Sequence, residues 1–159
     1  MNFNLTEEQK ILQNMARDFT ALNVDPIAAQ IDREGKLPDD LIGKLAHVGL
    51  LGMTIPQSNG GSEAGTLDCS LVIEQIAYSG TGAWWLVAFN NSIPEVIVHY
   101  GSENLKQKYL KPFCDGSSYG SVQFTEEETG SDPEELTTGA KLDGDTYSIN
   151  GMKRFSTFG

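Results

Sequence analysis

The sequence is poor in the residue types on which several functional classes depend. Its 159 residues include 11 basic and 22 acidic side chains, a formal net charge of −11, so it lacks the clustered Lys and Arg that bind nucleic-acid phosphates. Its longest apolar run, 83–89, is far shorter than the roughly 20 residues of a membrane span. We therefore expect neither a nucleic-acid nor a membrane partner.

Several signatures of nucleotide binding and catalysis are also missing. No Gly-x-Gly-x-x-Gly, Walker-type Gly-Lys-Ser/Thr or Cys-x-x-Cys is present, and no nucleophile elbow is expected. We therefore do not expect a Rossmann dehydrogenase, a P-loop enzyme or a serine hydrolase. The two cysteines, Cys69 and Cys114, are far apart and in apolar settings, so free thiols are predicted. His47 and His99 lie near no Cys or acid cluster at ligand spacing, so no metal site is predicted.

The N-terminus gives an expectation about location. Met1-Asn2-Phe3-Asn4-Leu5 lacks the basic and apolar regions of a signal peptide. We expect a cytoplasmic protein.

Helical patterns occupy the first 118 residues. Thr6-Glu7-Glu8-Gln9 is a capping box, and the apolar positions behind it predict an inward helix face comprising Ile11, Leu12, Met15, Phe19 and Leu22. Further helices are predicted from Asp25 (as cap) to Gly35, from Pro38 to Gly49, after a cap at Thr66, over Ala83–Asn91, from Pro94 to Gly101, and over Leu105–Phe113 with Leu105, Tyr109 and Leu110 inward.

From Tyr119 the pattern changes to the period of two that is typical of strands. Strands are predicted over 121–125, 137–142, 146–150 and 153–157, with Asp143-Gly144-Asp145 as a hairpin turn. The prediction is an α+β chain, with an α-helical domain over 1–118 and the first strands of a β-domain over 119–159. The pattern stops with an unpaired edge, so we expect an incomplete β-domain and a chain that is part of a larger protein.

Two stretches carry candidate binding chemistry. The strand at Ser121–Thr125 leads into Gly130-Ser131-Asp132, whose hydroxyls and free amides could hold a polar heterocycle, although a solvated acidic turn would have the same composition. Glu126–Glu128 are expected to point to solvent and have no assigned catalytic role. Phe155-Ser156-Thr157 could stack on a planar cofactor and hydrogen-bond its nitrogens, or could be an ordinary strand.

An aromatic group lies in the most apolar segment of the helical region. Trp84, Trp85 and Phe89 could wall a substrate channel, although such a stripe is more often core.

Taken in order, five segments resemble the N-terminal part of the FAD-dependent acyl-CoA dehydrogenase family. They are Leu5–Gln9, Leu45–Gly61, Gly101–Leu110, Thr125–Asp132 and Gly144–Thr157. The resemblance covers essentially the whole chain and is specific as a combination. It implies a helical domain, a small β-domain after it, and a second helical domain that this chain does not contain.

The resemblance also implies roles for individual residues. The expected FAD-binding residues are Val122, Gln123, Phe124, Thr125, Phe155, Ser156 and Thr157. Thr125 would bond the pyrimidine side of the flavin, Phe155 would pack beside the isoalloxazine, and the Thr157 hydroxyl would approach N5. Ser131 falls where the family contacts the acyl-CoA thioester.

The sequence departs from the family pattern at several positions near these residues. Glu127 replaces the usual Pro, Glu128-Thr129 replace small residues, Phe155 replaces Trp, and Phe158 replaces Asn. The acidic departures are concentrated on the thioester side of the loop.

The function implied by the resemblance is α,β-dehydrogenation of an acyl-CoA to a 2-enoyl-CoA in fatty acid metabolism. The base would be a carboxylate of the absent C-terminal domain, so no catalytic residue is expected in this chain and the chain alone should be inactive. Electron-transferring flavoprotein is the expected acceptor, and a homo-oligomer is the expected assembly. Two alternatives are a reductase, oxidase or monooxygenase of the same superfamily, and a non-catalytic helical module or half of a split enzyme.

Overall fold

The computed structural model describes residues 4–158, which form two units that divide after Gly120. The first unit is helical and the second contains a β-hairpin, which is the predicted α+β class. The helices are α1 (Glu7–Asn23), α2 (Ala28–Glu34), α3 (Leu41–His47), α4 (Thr66–Ala77), α5 (Trp84–Tyr100) and α6 (Glu103–Asp115), with 3₁₀ turns at Asp25–Ile27, Gln57–Asn59 and Pro133–Glu135. The strands are β1 (Gly139–Asp143) and β2 (Thr146–Asn150).

Several helix boundaries are fixed by the local chemistry that the sequence predicts. In the capping box, Gln9 N donates to Thr6 Oγ1 at 3.2 Å and Thr6 N donates to Gln9 Oε1 at 3.0 Å. Gly35 ends α2 with a left-handed φ of +61°. At the start of α6, Leu105 N donates to the N-cap hydroxyl of Ser102.

The helices pack around a shared core. α1 packs on α4, α4 on α5, and both α5 and α3 on α6. Gln9 Nε2 donates to Asp68 Oδ1 at 3.0 Å and so joins the first turns of α1 and α4. None of the helices within residues 4–158 has both the length and the apolar character needed to cross a lipid bilayer.

Asn91 of α5 crosslinks the core through its buried amide. Its Oδ1 accepts from Met53 N at 2.5 Å, and its Nδ2 donates to Leu50 O at 3.1 Å and Val87 O at 2.8 Å. A buried loop backbone has few other partners for such groups, so this amide holds the turn after α3 against α5.

Three predicted helix starts are wrong. Asp25 does not cap a helix but begins a 3₁₀ turn without a side-chain cap bond, and α3 begins at Leu41 rather than Pro38. Thr66 is the first helical residue of α4, and Gly65 occupies the N-cap, where its N–H donates to Asp68 Oδ2 at 3.0 Å. The Asp68 carboxylate therefore binds the N-cap backbone, which is the N3 half of a capping box.

The predicted break before Pro94 is also wrong. Ala83–Asn91 and Pro94–Gly101 are not separate helices, because α5 runs through a fully buried Pro94. Proline removes one backbone hydrogen bond from a helix interior. The packing of α5 between α4 and α6 buries enough apolar surface to offset that loss.

The predicted inward faces of α1 and α6 are only partly correct. On α1 Phe19 is buried, but Leu12 is half-buried and Ile11, Met15 and Leu22 are exposed. On α6 Leu110 is buried, whereas Leu105 and Tyr109 are exposed and Phe113 lies in the core instead. Within the described unit α1 packs mainly on α4 and α6 mainly on α5, so the buried stripe of each is narrower than its apolar pattern.

Two of the four predicted strands are absent from residues 121–158. β2 matches its prediction and β1 starts at Gly139 rather than 137, but 121–125 and 153–157 form no ladder. A single backbone hydrogen bond, Arg154 N to Thr125 O at 2.7 Å, joins these two segments in the described chain. A strand needs repeated backbone pairing, and one bond does not supply it.

Candidate functional site

The two segments predicted to bind a flavin lie side by side within the second unit. Ser121 Oγ donates to Thr157 O at 2.6 Å, and the Ser156 hydroxyl donates to Gln123 Oε1. The backbone bond at Thr125 completes the pairing. The structure therefore brings 121–125 and 154–157 together through one backbone bond and two side-chain bonds, although they are more than 25 residues apart.

The hydroxyls of Thr125 and Thr157 remain available in this arrangement. Both residues are half-buried, and neither side chain makes a hydrogen bond to another described residue. The backbone N–H groups of 122–125 likewise have no acceptor within the described chain, and residues 122–124 are exposed. The pair of segments thus presents donors for a planar polar ligand.

The side chains of Gln123 and Ser156 are occupied differently. They bond to one another, and Gln123 Nε2 also donates to Ser121 Oγ at 2.9 Å. Their side chains hold the two segments together, which leaves their backbone groups as the parts free to meet a ligand.

The apolar members of the predicted set face outward. Val122 and Phe124 are 47% and 44% exposed, and Phe155 is 90% exposed. Phe155 has a φ of +56° and Phe158 a φ of +58°. These are left-handed values that cost a bulky L-residue about 1–2 kcal/mol, so the turn around Ser156–Thr157 holds two strained phenylalanines.

Ser131 lies at the tip of the loop over residues 126–132. Its side chain is exposed, and bonds on either side of it shape the turn: Thr129 Oγ1 donates to Asp132 O at 2.6 Å, and Glu134 N donates to Asp132 Oδ1 at 3.1 Å. Gly130 lies against Thr125, since a Cβ there would be 3.6 Å from Thr125 Cγ2. The loop therefore folds back onto the residue that precedes it.

The expectation that Glu126–Glu128 all point to solvent is wrong for Glu126. Its side chain is 6% exposed, and its carboxylate accepts hydrogen bonds from Thr137 N at 2.7 Å, Thr137 Oγ1 at 2.5 Å, Thr138 N at 2.9 Å and Thr138 Oγ1 at 2.5 Å. Lys153 Nζ lies 2.9 Å from Oε1. A buried carboxylate is stable when charge and hydrogen bonds compensate it, and this one has both.

These contacts stabilise the charged form of Glu126. The hydroxyls of Thr137 and Thr138, then the Lys153 ammonium, hold the pKa of this carboxyl far below its usual range. Lys153 Nζ also donates to Phe124 O at 2.9 Å. One lysine therefore holds both the carboxylate and the backbone just before Thr125.

The other two glutamates are exposed as predicted. Glu127 Oε1 pairs with Arg154 Nη2 at 2.7 Å on the surface, and Glu128 faces solvent. Exposed ion pairs contribute little to the free energy of unfolding. The carboxylates of Glu127 and Glu128 are therefore mostly solvated.

Sequence reasoning missed three residues of this site, namely Thr137, Thr138 and Lys153 as the partners of Glu126. The sequence did contain an indication of these partners, namely the two threonines directly before β1. The hairpin itself requires neither hydroxyl. Gly151 belongs with them, because a Cβ at this position would lie 2.1 Å from Thr138 Oγ1.

The first unit contains a sequence match to the nucleophile-elbow motif and a group of aromatic residues. Gly116–Gly120 matches Gly-x-Ser-x-Gly, but it follows the end of α6 rather than linking a strand to a helix, as a nucleophile elbow requires. Trp84 and Trp85 stack at 3.9 Å between ring centroids, and Phe89 lies 4.9 Å from Trp85. All three aromatic residues are half-buried on α5.

Comparison with known proteins gives consistent matches. The family described as "Acyl-CoA dehydrogenase, N-terminal domain" matches residues 6–117. The short-chain specific acyl-CoA dehydrogenase of Clostridium acetobutylicum is 36% identical over 160 residues, which cover 100% of this chain and 42% of that protein. Acryloyl-CoA reductase (NADH) of Anaerotignum propionicum is 34% identical over 161 residues, covering 100% of this chain and 41% of that protein.

Solved structures share the fold. A glutaryl-CoA dehydrogenase from Mycobacterium smegmatis in complex with FADH2 superposes with a TM-score of 0.90 at 24% identity, over 96% of this chain and 39% of that one. The chain thus spans about two fifths of the length of the proteins it matches.

Proposed function

Since the chain belongs to the acyl-CoA dehydrogenase family, we propose that it forms part of the FAD and acyl-CoA site of an enzyme that converts an acyl-CoA to a 2-enoyl-CoA. The observation that carries the proposal is the pair of unengaged hydroxyls, Thr125 and Thr157, on two segments that are bonded together. We assign residues 1–118 to the helical domain and 119–159 to the β-domain.

The described residues fit a flavin in three respects. Thr125 and the amides of 122–125 offer hydrogen bonds to the pyrimidine side, and the Thr157 hydroxyl offers one to N5. Val122, Phe124 and Phe155 offer exposed apolar surface to a flat ring. The side chains of Gln123 and Ser156 keep the two segments at a fixed spacing.

The chemistry then divides between this chain and the rest of the enzyme. FAD, when bound, accepts the hydride that leaves the β-carbon of the substrate. Thr157 orients the accepting atom, and Ser131 at the loop tip contacts the thioester. The α-proton goes to a carboxylate outside this chain, so the 159 residues alone give no turnover.

The same site also suits the reverse reaction, and one observation favours keeping it as a second candidate. A protein named as a reductase and one named as a dehydrogenase match this chain at 34% and 36% identity. The direction depends on the electron partner. For dehydrogenation we propose electron-transferring flavoprotein as acceptor, within a cytoplasmic homo-oligomer.

A chimera provides the test. These 159 residues replace the matching part of the C. acetobutylicum enzyme, and the product is assayed for bound flavin and for butyryl-CoA oxidation with a dye acceptor. We expect a yellow, active chimera, with activity at least about tenfold lower in Thr125→Val and Thr157→Val. Thr66→Val, at an exposed residue of α4, is the matched control.

The outcomes separate the parts of the proposal. A colourless chimera, or full activity in both valine variants, would contradict the assigned flavin site. Butyryl-CoA-dependent flavin reduction by the isolated chain would contradict the expectation that the base lies elsewhere. Reduction of crotonyl-CoA in preference to oxidation of butyryl-CoA would favour the reductase.

A further inference from the structure

Three separate parts of the second unit meet at the Glu126 carboxylate. Oε2 accepts both hydrogen bonds from Thr137, while Oε1 accepts those from Thr138 and Lys153. Thr138 directly precedes β1, and Lys153 follows β2 by three residues. The carboxylate therefore fastens the loop to both ends of the hairpin.

The residues beside Glu126 are held by the same set of contacts. Lys153 Nζ binds Phe124 O, and Glu126 N donates to Thr129 O at 2.9 Å. The backbone is thus fixed immediately before Thr125 and immediately after it. The hydrogen bond from Glu126 N also closes the turn that leads to Ser131.

An exposed glutamate would be equally compatible with the acidic composition of this loop. Its neighbour Glu127 shows this, since its carboxylate is exposed and pairs with Arg154 on the surface. Burying a carboxylate is costly unless several donors compensate it. Five hydrogen-bond donors contact one carboxylate, at the residue between Thr125 and the Ser131 loop. A role in solubility does not explain this arrangement.

We propose that Glu126 is a positioning residue, whose carboxylate sets Thr125 for the flavin and the 126–132 loop for the thioester. The inference rests on the proposed function of the site, and it adds a residue that touches neither ligand. Thr137, Thr138 and Lys153 are the groups through which it acts.

Glu126→Gln tests the role of the charge with little change in shape. An amide offers one oxygen and a donor group where two accepting oxygens are needed. We expect FAD binding by the full chain, measured by quenching of flavin fluorescence, to weaken at least about tenfold. Glu127→Gln is the matched control and should change the FAD dissociation constant less than twofold.

A second pair of variants tests positioning without altering Glu126. Thr138→Val removes one hydroxyl but keeps the backbone donor and Lys153, so FAD binding should weaken. Thr138→Ser restores the hydroxyl and should recover most of the affinity. A general loss of packing would leave serine no better than valine, and that result would overturn the proposal.

Amide NMR separates this inference from the proposed function. In Glu126→Gln the amides of residues 125–131 should exchange faster and show lower order parameters, while Glu127→Gln should match the wild-type chain. If the wild type binds no FAD, the proposed flavin site fails, and the NMR result still decides the role of Glu126. Unchanged amides in Glu126→Gln would overturn the positioning role, whatever the FAD result.

Discussion

The hydroxyl of Ser121 lies 2.6 Å from the carbonyl oxygen of Thr157, to which it donates. This hydrogen bond joins the first residue of one proposed flavin-binding segment to the last residue of the other. It fixes the carbonyl of the residue whose hydroxyl is expected to approach N5. The positions of the two segments therefore depend on a serine that the family resemblance does not include among the ligand-binding residues.

Replacement of that serine should loosen the second unit without removing any proposed ligand contact. Ser121→Ala deletes the hydrogen bond to Thr157 O and the acceptor for Gln123 Nε2. We expect a loss of about 1 kcal/mol in the free energy of unfolding, measured by urea denaturation. Ser148→Ala, at an exposed residue of β2 with no side-chain hydrogen bond in the described chain, should leave stability unchanged. Equal losses in both variants would contradict this account.

The stability of the second unit should depend on pH through Glu126. Its pKa is lowered in the folded chain by Thr137, Thr138 and Lys153, so the unfolded chain binds the proton first as the pH falls below about 4.3. The contribution of the charged carboxylate is therefore complete above that pH and is lost progressively below it.

The matching measurement compares wild type with Glu126→Gln between about pH 6 and about pH 2 by urea denaturation. The difference in their free energies of unfolding should shrink as the pH falls. Exposed carboxyls with lowered pKa values, Glu8, Asp40 and Asp115, occur in both proteins and cancel. A difference that stays constant with pH would show that Glu126 has no special role in acid stability.

Gly151 should tolerate no side chain. A Cβ would lie 2.1 Å from Thr138 Oγ1 and 2.7 Å from Thr138 Cβ, so Gly151→Ala must displace the threonine that binds Glu126. We expect a loss of about 1–3 kcal/mol, as for other overpacked sites. Gly139→Ala is the matched control, because nothing lies within 4 Å of its Cβ position. Thermal unfolding of the two variants compares them directly.

In the helical unit, Asn91→Ala should lower the free energy of unfolding more than the loss of an exposed asparagine does. It leaves Met53 N and Leu50 O without their partner in a buried setting. Orphaned buried polar groups cost about 1–3 kcal/mol each, so the free energy of unfolding should fall by at least about 2 kcal/mol. Asn104→Ala, at an exposed position of α6, should have almost no effect. Similar values for both, in calorimetry, would argue against the crosslinking role of Asn91.

The sequence predicts those features whose causes lie within a few residues. The Thr6–Gln9 capping box and the end of α2 at Gly35 are local, and both are confirmed. The continuous helix through Pro94 is not predictable in this way, because its stability comes from packing on α4 and α6. The same reason applies to α1, whose exposed Ile11 and Leu22 have the spacing of buried residues.

The candidate site shows the same limit. Thr125 and Thr157 were named from a resemblance, and their roles as ligand-binding residues stay predictions. Glu126 was expected in solvent because it stands in a run of acids. Its burial depends on donors 11 to 27 positions away along the chain, and local composition does not reveal contacts at that distance.

The hairpin register has a consequence for the order in which the second unit folds. Gly139 pairs with Asn150 at the end of the hairpin away from the turn at Gly144. Formation of the hairpin therefore brings together the two residues just beyond this pair, Thr138 and Gly151. Hairpins form in about 1–10 μs, and nearby contacts close before distant ones. We therefore expect this local event to bring Thr137, Thr138 and Lys153 together. Glu126 lies 11 to 27 positions from them along the chain, so we expect its carboxylate, and with it the binding loop, to become ordered afterwards.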